Sequence, residues 1–168
     1  NCKTREMYPF SFEFTLYYRF DINCLKQTYI VINTGKEEMS FSLGVHTALR
    51  CPIDENGSFG DYKLCFPEKF TIDRCVKCNG LMTGDTTEII KDEDAVRLNY
   101  ELFDEAAVIL IEVPFKSLEL ADLKGSHRAK YHFDDYCDLG AWTIRDAPLH
   151  ALSCVTATTI TRTECEKY

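Results

Sequence analysis

His46 is the side chain in this sequence best suited to moving a proton. The alternation Met39, Phe41, Leu43 ends at Gly44, which predicts a strand that delivers His46 to a sheet surface just past its end. Imidazole titrates near neutrality, so it can donate a proton and recover it. Other reactive side chains fall into weaker patterns. Cys75 and Cys78 form a CxxC, but tetrahedral zinc needs four ligands, and His127 and His132 lie far downstream among charged neighbours. Nothing around Cys75 reads as the helix N-terminus that a thioredoxin-like pair needs. His150 and Cys154 are four residues apart and would meet only on a helix, which the β-branched run at 156–161 disfavours. Asp134, Asp135 and Asp138 lack calcium-loop spacing and its turn glycine, and read as a solvated acidic turn.

The elements that must carry His46 are strands. Phe10, Phe12, Phe14, Leu16, Tyr18 and Phe20 would share one face of a strand, with Ser11, Glu13, Thr15 and Arg19 opposite, the pattern of a half-buried strand. Asp21-Ile22-Asn23 marks a turn, 27–32 is β-rich, and Asn33-Thr34-Gly35-Lys36 is a hairpin signal. After a loop at 54–60, Tyr62, Leu64 and Phe66 alternate, as do Val96, Leu98 and Tyr100, and Ala129, Tyr131 and Phe133. Asn79-Gly80 and Thr83-Gly84-Asp85 read as turns. The apolar run at 107–111 and the segment 117–120 read as further strands. No window sustains a 3.6-residue period, so helix should be scarce. Short strands with frequent turn signals predict an all-β antiparallel sandwich or barrel.

A chain of 168 residues reads as one domain, 1–168, and buries roughly 70% of its extended surface if compact. With 27 acidic against 19 basic residues the net charge is −8, which disfavours a nucleic-acid partner. No stretch approaches the ~20 apolar residues of a membrane span. The first ten residues hold no apolar signal-peptide core, and the nine cysteines are an odd set for a secreted disulfide framework. Both observations predict a cytoplasmic protein with reduced thiols, most of them buried.

The order of several segments resembles the aldose 1-epimerases, or galactose mutarotases. That family carries YPF-x-F-x-L, a V-x-N strand, and M-x-FS-x-GGHPAF-x-CP. Here these are Tyr8-Pro9-Phe10, Val31-Ile32-Asn33, and the run from Met39 through Gly44-Val45-His46-Thr47-Ala48. Leu102-Phe103-Asp104 resembles LF-(D/E)-x-DAL, Leu139-Gly140-Ala141-Trp142-Thr143 resembles LG-x-WT, and Ala147-Pro148 resembles the start of APF-x-CIEPW. The resemblance covers nearly the whole chain. It implies a galactose mutarotase-like β-sandwich with a hexose lying across one sheet, and no metal or cofactor.

The resemblance also implies a mechanism: hexose anomers interconvert when a base takes the C1 hydroxyl proton and an acid protonates the ring oxygen. The family's glutamate in CIEPW is the base, and the histidine of GGHP is the acid. His46 matches the acid, although Val45 and Thr47 replace the flanking glycine and proline. The sugar-holding aspartate of DAL falls on Ala106; Asp104 and Glu105 are nearby, but their side chains would need a register shift to replace it. The base falls on Ser153, with Cys154 and Val155 in place of proline and tryptophan; a serine hydroxyl can hydrogen-bond a sugar but cannot act as a general base at pH 7. Trp142 offers an aromatic platform for a sugar's C–H face. The expected site is therefore His46 as acid, with Trp142, Asp104 and Ser153 as sugar contacts. With one key group matched, an inactive carbohydrate-binding remnant is the competing expectation.

Relative to the family, the chain is expected to lack an N-terminal part, including an HG-x-x-R segment, and the strands that follow CIEPW. Exposed edges and uncovered apolar faces would then favour self-association. The likeness stops abruptly at His150. With suitable codons, a two-base shift of frame there spells a C-x-E segment, which would make the Thr-rich tail a frameshift product.

Overall fold

The computed structural model describes residues 2–78, 81–103, 107–145 and 151–157. By their contacts they divide into two units, Asn1–Phe41 and Ser42–Tyr168. No linker-like composition near Phe41 announces that division.

In the first unit a short helix, α1 (Cys2–Met7), precedes β1 (Phe12–Asp21) and β2 (Cys24–Asn33). The two strands pair antiparallel from Phe12↔Asn33 to Asp21↔Cys24, so the expected turn is the two-residue hairpin loop Ile22-Asn23. The period-2 alternation is present, but burial does not follow it. Phe14, Tyr18 and Phe20 are exposed, because a two-stranded ribbon has no second layer of its own to bury a face. The signal at 33–36 is a turn without a hairpin. Thr34 and Gly35 donate backbone hydrogen bonds to Ser11 O, and the strand that follows pairs elsewhere.

The second unit holds two four-stranded antiparallel sheets. One contains β3 (Gly44–Arg50), β6 (Val108–Leu110), β9 (Asp138–Trp142) and β10 (Ala151–Ala157), in the order β3-β10-β9-β6. The other contains β4 (Tyr62–Cys78), β5 (Leu81–Arg97), β7 (Ser117–Asp122) and β8 (Arg128–His132), in the order β5-β4-β7-β8. Leu110, Leu139, Ala141, Leu152 and Cys154 from the first sheet and Tyr62, Leu64, Leu118 and Leu120 from the second join one buried cluster. The fold is thus an all-β antiparallel sandwich. Helix among the described residues is limited to α1 and the 3-10 turns Phe59–Asp61 and Tyr100–Phe103.

Two sequence expectations shift. The alternation at 39–43 is not a strand, and His46 is not beyond a strand end; it is the third residue of β3. Backbone pairing explains this. The β3 ladder to β10 begins at Gly44↔Ala157, so residues before Gly44 have no described strand to pair with. Thr83-Gly84-Asp85 is a bulge inside β5 rather than a turn between strands. The register passes from Cys75↔Thr86 to Lys77↔Met82, and Gly84 takes φ +89 within it. The Asn79-Gly80 turn lies outside the described residues.

Candidate functional site

Strand parity decides which way His46 points. Val45 on β3, Leu152 and Cys154 on β10, Leu139 and Ala141 on β9, and Val108 and Leu110 on β6 are all buried. Their alternate neighbours therefore face away from the core. Register lines these up in rows: His46↔Val155↔Gly140↔Ile109, and beside it Ala48↔Ser153↔Trp142. Residues opposite one another in a ladder share a face, so His46, Ser153 and Trp142 meet on one open sheet surface. Gly140 lies in that surface with no side chain. A Cβ placed there would approach nothing closer than Val155 Cβ at 3.6 Å.

Trp142 donates its Nε1–H to Nε2 of His46 at 3.2 Å, and the two rings meet edge to face at 5.7 Å. An imidazole that accepts at Nε2 is neutral and carries its proton on Nδ1. The acid form would set one N–H against another, so His46 can act as an acid only after the indole turns away. Ser153, 8% exposed, sits between Ala48 and Trp142. Asp104, Ala106 and His150 lie outside the described residues. Cys154 is fully buried facing the core, and burial pushes its thiol up to about 12, which removes it as a nucleophile.

The same face continues past Ala48 to Arg50, which pairs with Ala151. Beyond it the loop 52–60 and Tyr100 enclose an open hollow of about 960 Å³. Extending the β3 alternation by two residues from Ala48 would have found Arg50 in the sequence. The loop is fixed by Tyr62, a buried residue whose hydroxyl accepts from Ile53 N (3.0 Å) and Asp54 N (3.2 Å) and donates to Asp54 Oδ2 (2.6 Å). That hydroxyl hydrogen bond is the main reason the Asp54 carboxyl is held below its ordinary value. His127 Nδ1 lies 3.3 Å from Asp122 Oδ2 and 3.8 Å from Asp54 Oδ2, tying the β7–β8 turn to the loop. No sequence pattern joins these residues; only the fold brings them together.

The sandwich is of a recognisable class, the galactose mutarotase-like fold. The chain is similar to a galactose mutarotase related enzyme from Lactobacillus acidophilus, with TM-score 0.81 and 22% identity, over 94% of this chain and 53% of that one. A galactose mutarotase-like protein from Lactobacillus casei aligns with TM-score 0.78 and 22% identity, over 94% and 54%. The family model described as aldose 1-epimerase matches residues 2–117, and the chain belongs to the aldose 1-epimerase family. It is also 27% identical over 157 residues to the plasmid-borne protein LacX of Lactococcus lactis subsp. lactis, across 90% of this chain and 52% of LacX. The chain therefore spans about half the length of the curated relatives it matches.

Proposed function

We propose that this chain takes a hexose against the His46–Trp142 face and that His46 is the acid of an aldose 1-epimerase-type ring opening. The observation that carries the reading is the shared sheet face. His46, Ser153 and Trp142, each singled out by the family resemblance, project from three adjacent strands onto one surface. On this reading a sugar entering the face displaces the indole N–H from Nε2, which frees that nitrogen to take up and deliver a proton, while Trp142 packs on the C–H face of the ring.

The resemblance puts the family's base at Ser153. A hydroxyl there holds a sugar but does not begin ring opening, so turnover should be slow. Ser153 thus favours a second reading, a carbohydrate-binding protein without appreciable catalysis. Polarimetry of freshly dissolved α-D-glucose or α-D-galactose separates the two. Rate enhancement abolished by His46→Ala supports the epimerase; no enhancement, with sugar-induced shifts of Trp142 and Ser153 resonances, supports the binder. If neither appears, both readings fall. Cytoplasmic residence and self-association through exposed strand edges belong to the same proposal, and sedimentation of the purified chain tests the second.

A further inference from the structure

We infer that the outer edge of β8 is a docking strand for an extended acidic peptide, which would join the second sheet beside it. This surface lies on the other sheet from His46, and the inference does not depend on the sugar reading.

Backbone direction opens the edge. In the order β5-β4-β7-β8, β8 has one neighbour among the described residues. Asp122 N donates to His127 O, and Phe133 N donates to Lys116 O. The odd-numbered residues of this stretch therefore turn their backbone toward β7. Antiparallel strands alternate, so Arg128, Lys130 and His132 turn theirs to the open side. No backbone hydrogen bond reaches these three from that side among the described residues. A row of unpaired N–H and C=O groups is a template for another strand.

The same three residues carry the charge. Arg128, Lys130 and His132 are the exposed positions of β8, whereas Ala129 and Tyr131 are half-buried and Tyr131 packs on the core. Register extends the charge across the outer face of the sheet, where Arg97, Lys63, Ala121 and Arg128 form one row. In the next row Glu119 stands opposite Lys130 but is bridged to Arg128 Nη1 at 3.0 Å. Asp94 on β5 also lies near this face. Lys63, Lys130 and His132 make no hydrogen bond or ion pair through their side chains among the described residues. In a chain of net charge −8, this face reverses the local sign and favours an anionic partner.

The pleat sets the pattern of that partner. A strand laid along β8 places its side chains opposite those of β8 on the same faces. Acidic residues would meet Arg128, Lys130 and His132, spaced about 7 Å apart. Apolar residues between them would cover Ala129 and Tyr131. Lysine on an edge strand ordinarily wards off pairing; here Arg128 and Lys130, with His132 beside them, make the edge select by charge. Asp134 and Asp135 follow directly and would repel a longer acidic segment, which limits the match to the 5 residues of β8.

Fluorescence anisotropy and amide hydrogen exchange test this with a labelled peptide as long as β8, in which aspartate alternates with valine. The controls are a lysine-for-aspartate peptide and a scrambled isomer with its aspartates contiguous. The alternating acidic peptide is expected to bind at least about tenfold more tightly than either control. It should also slow exchange at the N–H groups of Arg128, Lys130 and His132. Lys130→Glu is expected to weaken binding about tenfold and Lys130→Arg to preserve it, with thermal unfolding establishing that both are folded. Equal binding of the scrambled isomer, or binding without that protection, overturns strand addition. Absence of binding overturns the surface altogether. If the free chain sediments as a dimer with those three amides protected, and Lys130→Glu dissociates it, the edge is an interface between copies and the inference falls.

Discussion

Trp142 Nε1–H points at His46 Nε2 across 3.2 Å, from β9 to β3 over the intervening strand β10. Indole can only donate, so the bond selects the neutral imidazole tautomer with its proton on Nδ1. His46 Nε2 is thus held as an acceptor, and on the reading proposed above a sugar must separate the two rings before that nitrogen can carry a proton.

Replacing the indole with a ring that cannot donate tests this arrangement. In Trp142→Phe the His46 tautomer should shift toward the Nε2–H form, visible in two-bond ¹H–¹⁵N correlation spectra at a pH where the ring is neutral. Loss of the hydrogen bond should cost about 1 kcal/mol of stability. An unchanged Nδ1–H population would show that Trp142 does not control the ring.

Ser153→Glu tests the base position that the family resemblance assigns to Ser153. General-base assistance is worth roughly 10²–10⁴-fold, but the variant is expected to gain less than about tenfold by polarimetry. Ser153 is buried between Ala48 and Trp142, so the longer carboxylate must displace a neighbour at a cost of roughly 1–3 kcal/mol. A hundredfold gain would contradict this and show that the base was the one group lacking.

Tyr62→Phe removes a hydroxyl that serves two backbone donors and one carboxylate. Urea unfolding should register a loss of about 2–3 kcal/mol, because Ile53 N and Asp54 N lose their acceptor in a half-buried loop. Stability within about 0.5 kcal/mol of wild type would mean that water replaces the hydroxyl without cost.

Acid should loosen the same loop. Tyr62 holds the Asp54 carboxyl below its ordinary value. Burial pushes Asp122 up, but hydrogen bonds from the His127 and Ser126 backbone and the His127 ring outweigh it and bring Asp122 below its ordinary value too. A carboxyl depressed in the folded state stabilises above its unfolded pKa, about 3.9. That contribution disappears as pH falls through the lower folded value. Thermal unfolding temperatures should therefore drop steeply below about pH 4, and Asp54→Asn should flatten the drop. A parallel profile in the variant would assign the acid sensitivity elsewhere.

Alternation made most of the fold legible. Tyr62, Leu64 and Phe66 announce the core face of β4, and the apolar run at 107–111 announces β6, because burial on one side of a pleat imprints a two-residue period. The hairpin of β1 and β2 was legible as strands but not as exposed strands, since alternation records which side is apolar and not what covers it. His46 was legible as a surface histidine, but its place within β3 was not. Pairing with β10, distant in sequence, decides where β3 begins. The Trp142–His46 bond and the Tyr62–Asp54–His127 cluster were invisible for the same reason: each joins residues on elements that only the sheet order brings together.

That sheet order has a consequence for how the protein is made. The strand bearing His46 finds its one described neighbour in β10, about a hundred residues later in the chain. The β1–β2 and β4–β5 hairpins can close as soon as they leave the ribosome, but β3 meets its described partner only once residue 151 has been synthesised. Contacts so far apart in sequence form slowly, and an unpaired strand invites foreign pairing meanwhile. A nascent chain stalled ahead of β10 would hold its local hairpins while the segment around His46 remained open to proteases and chaperones.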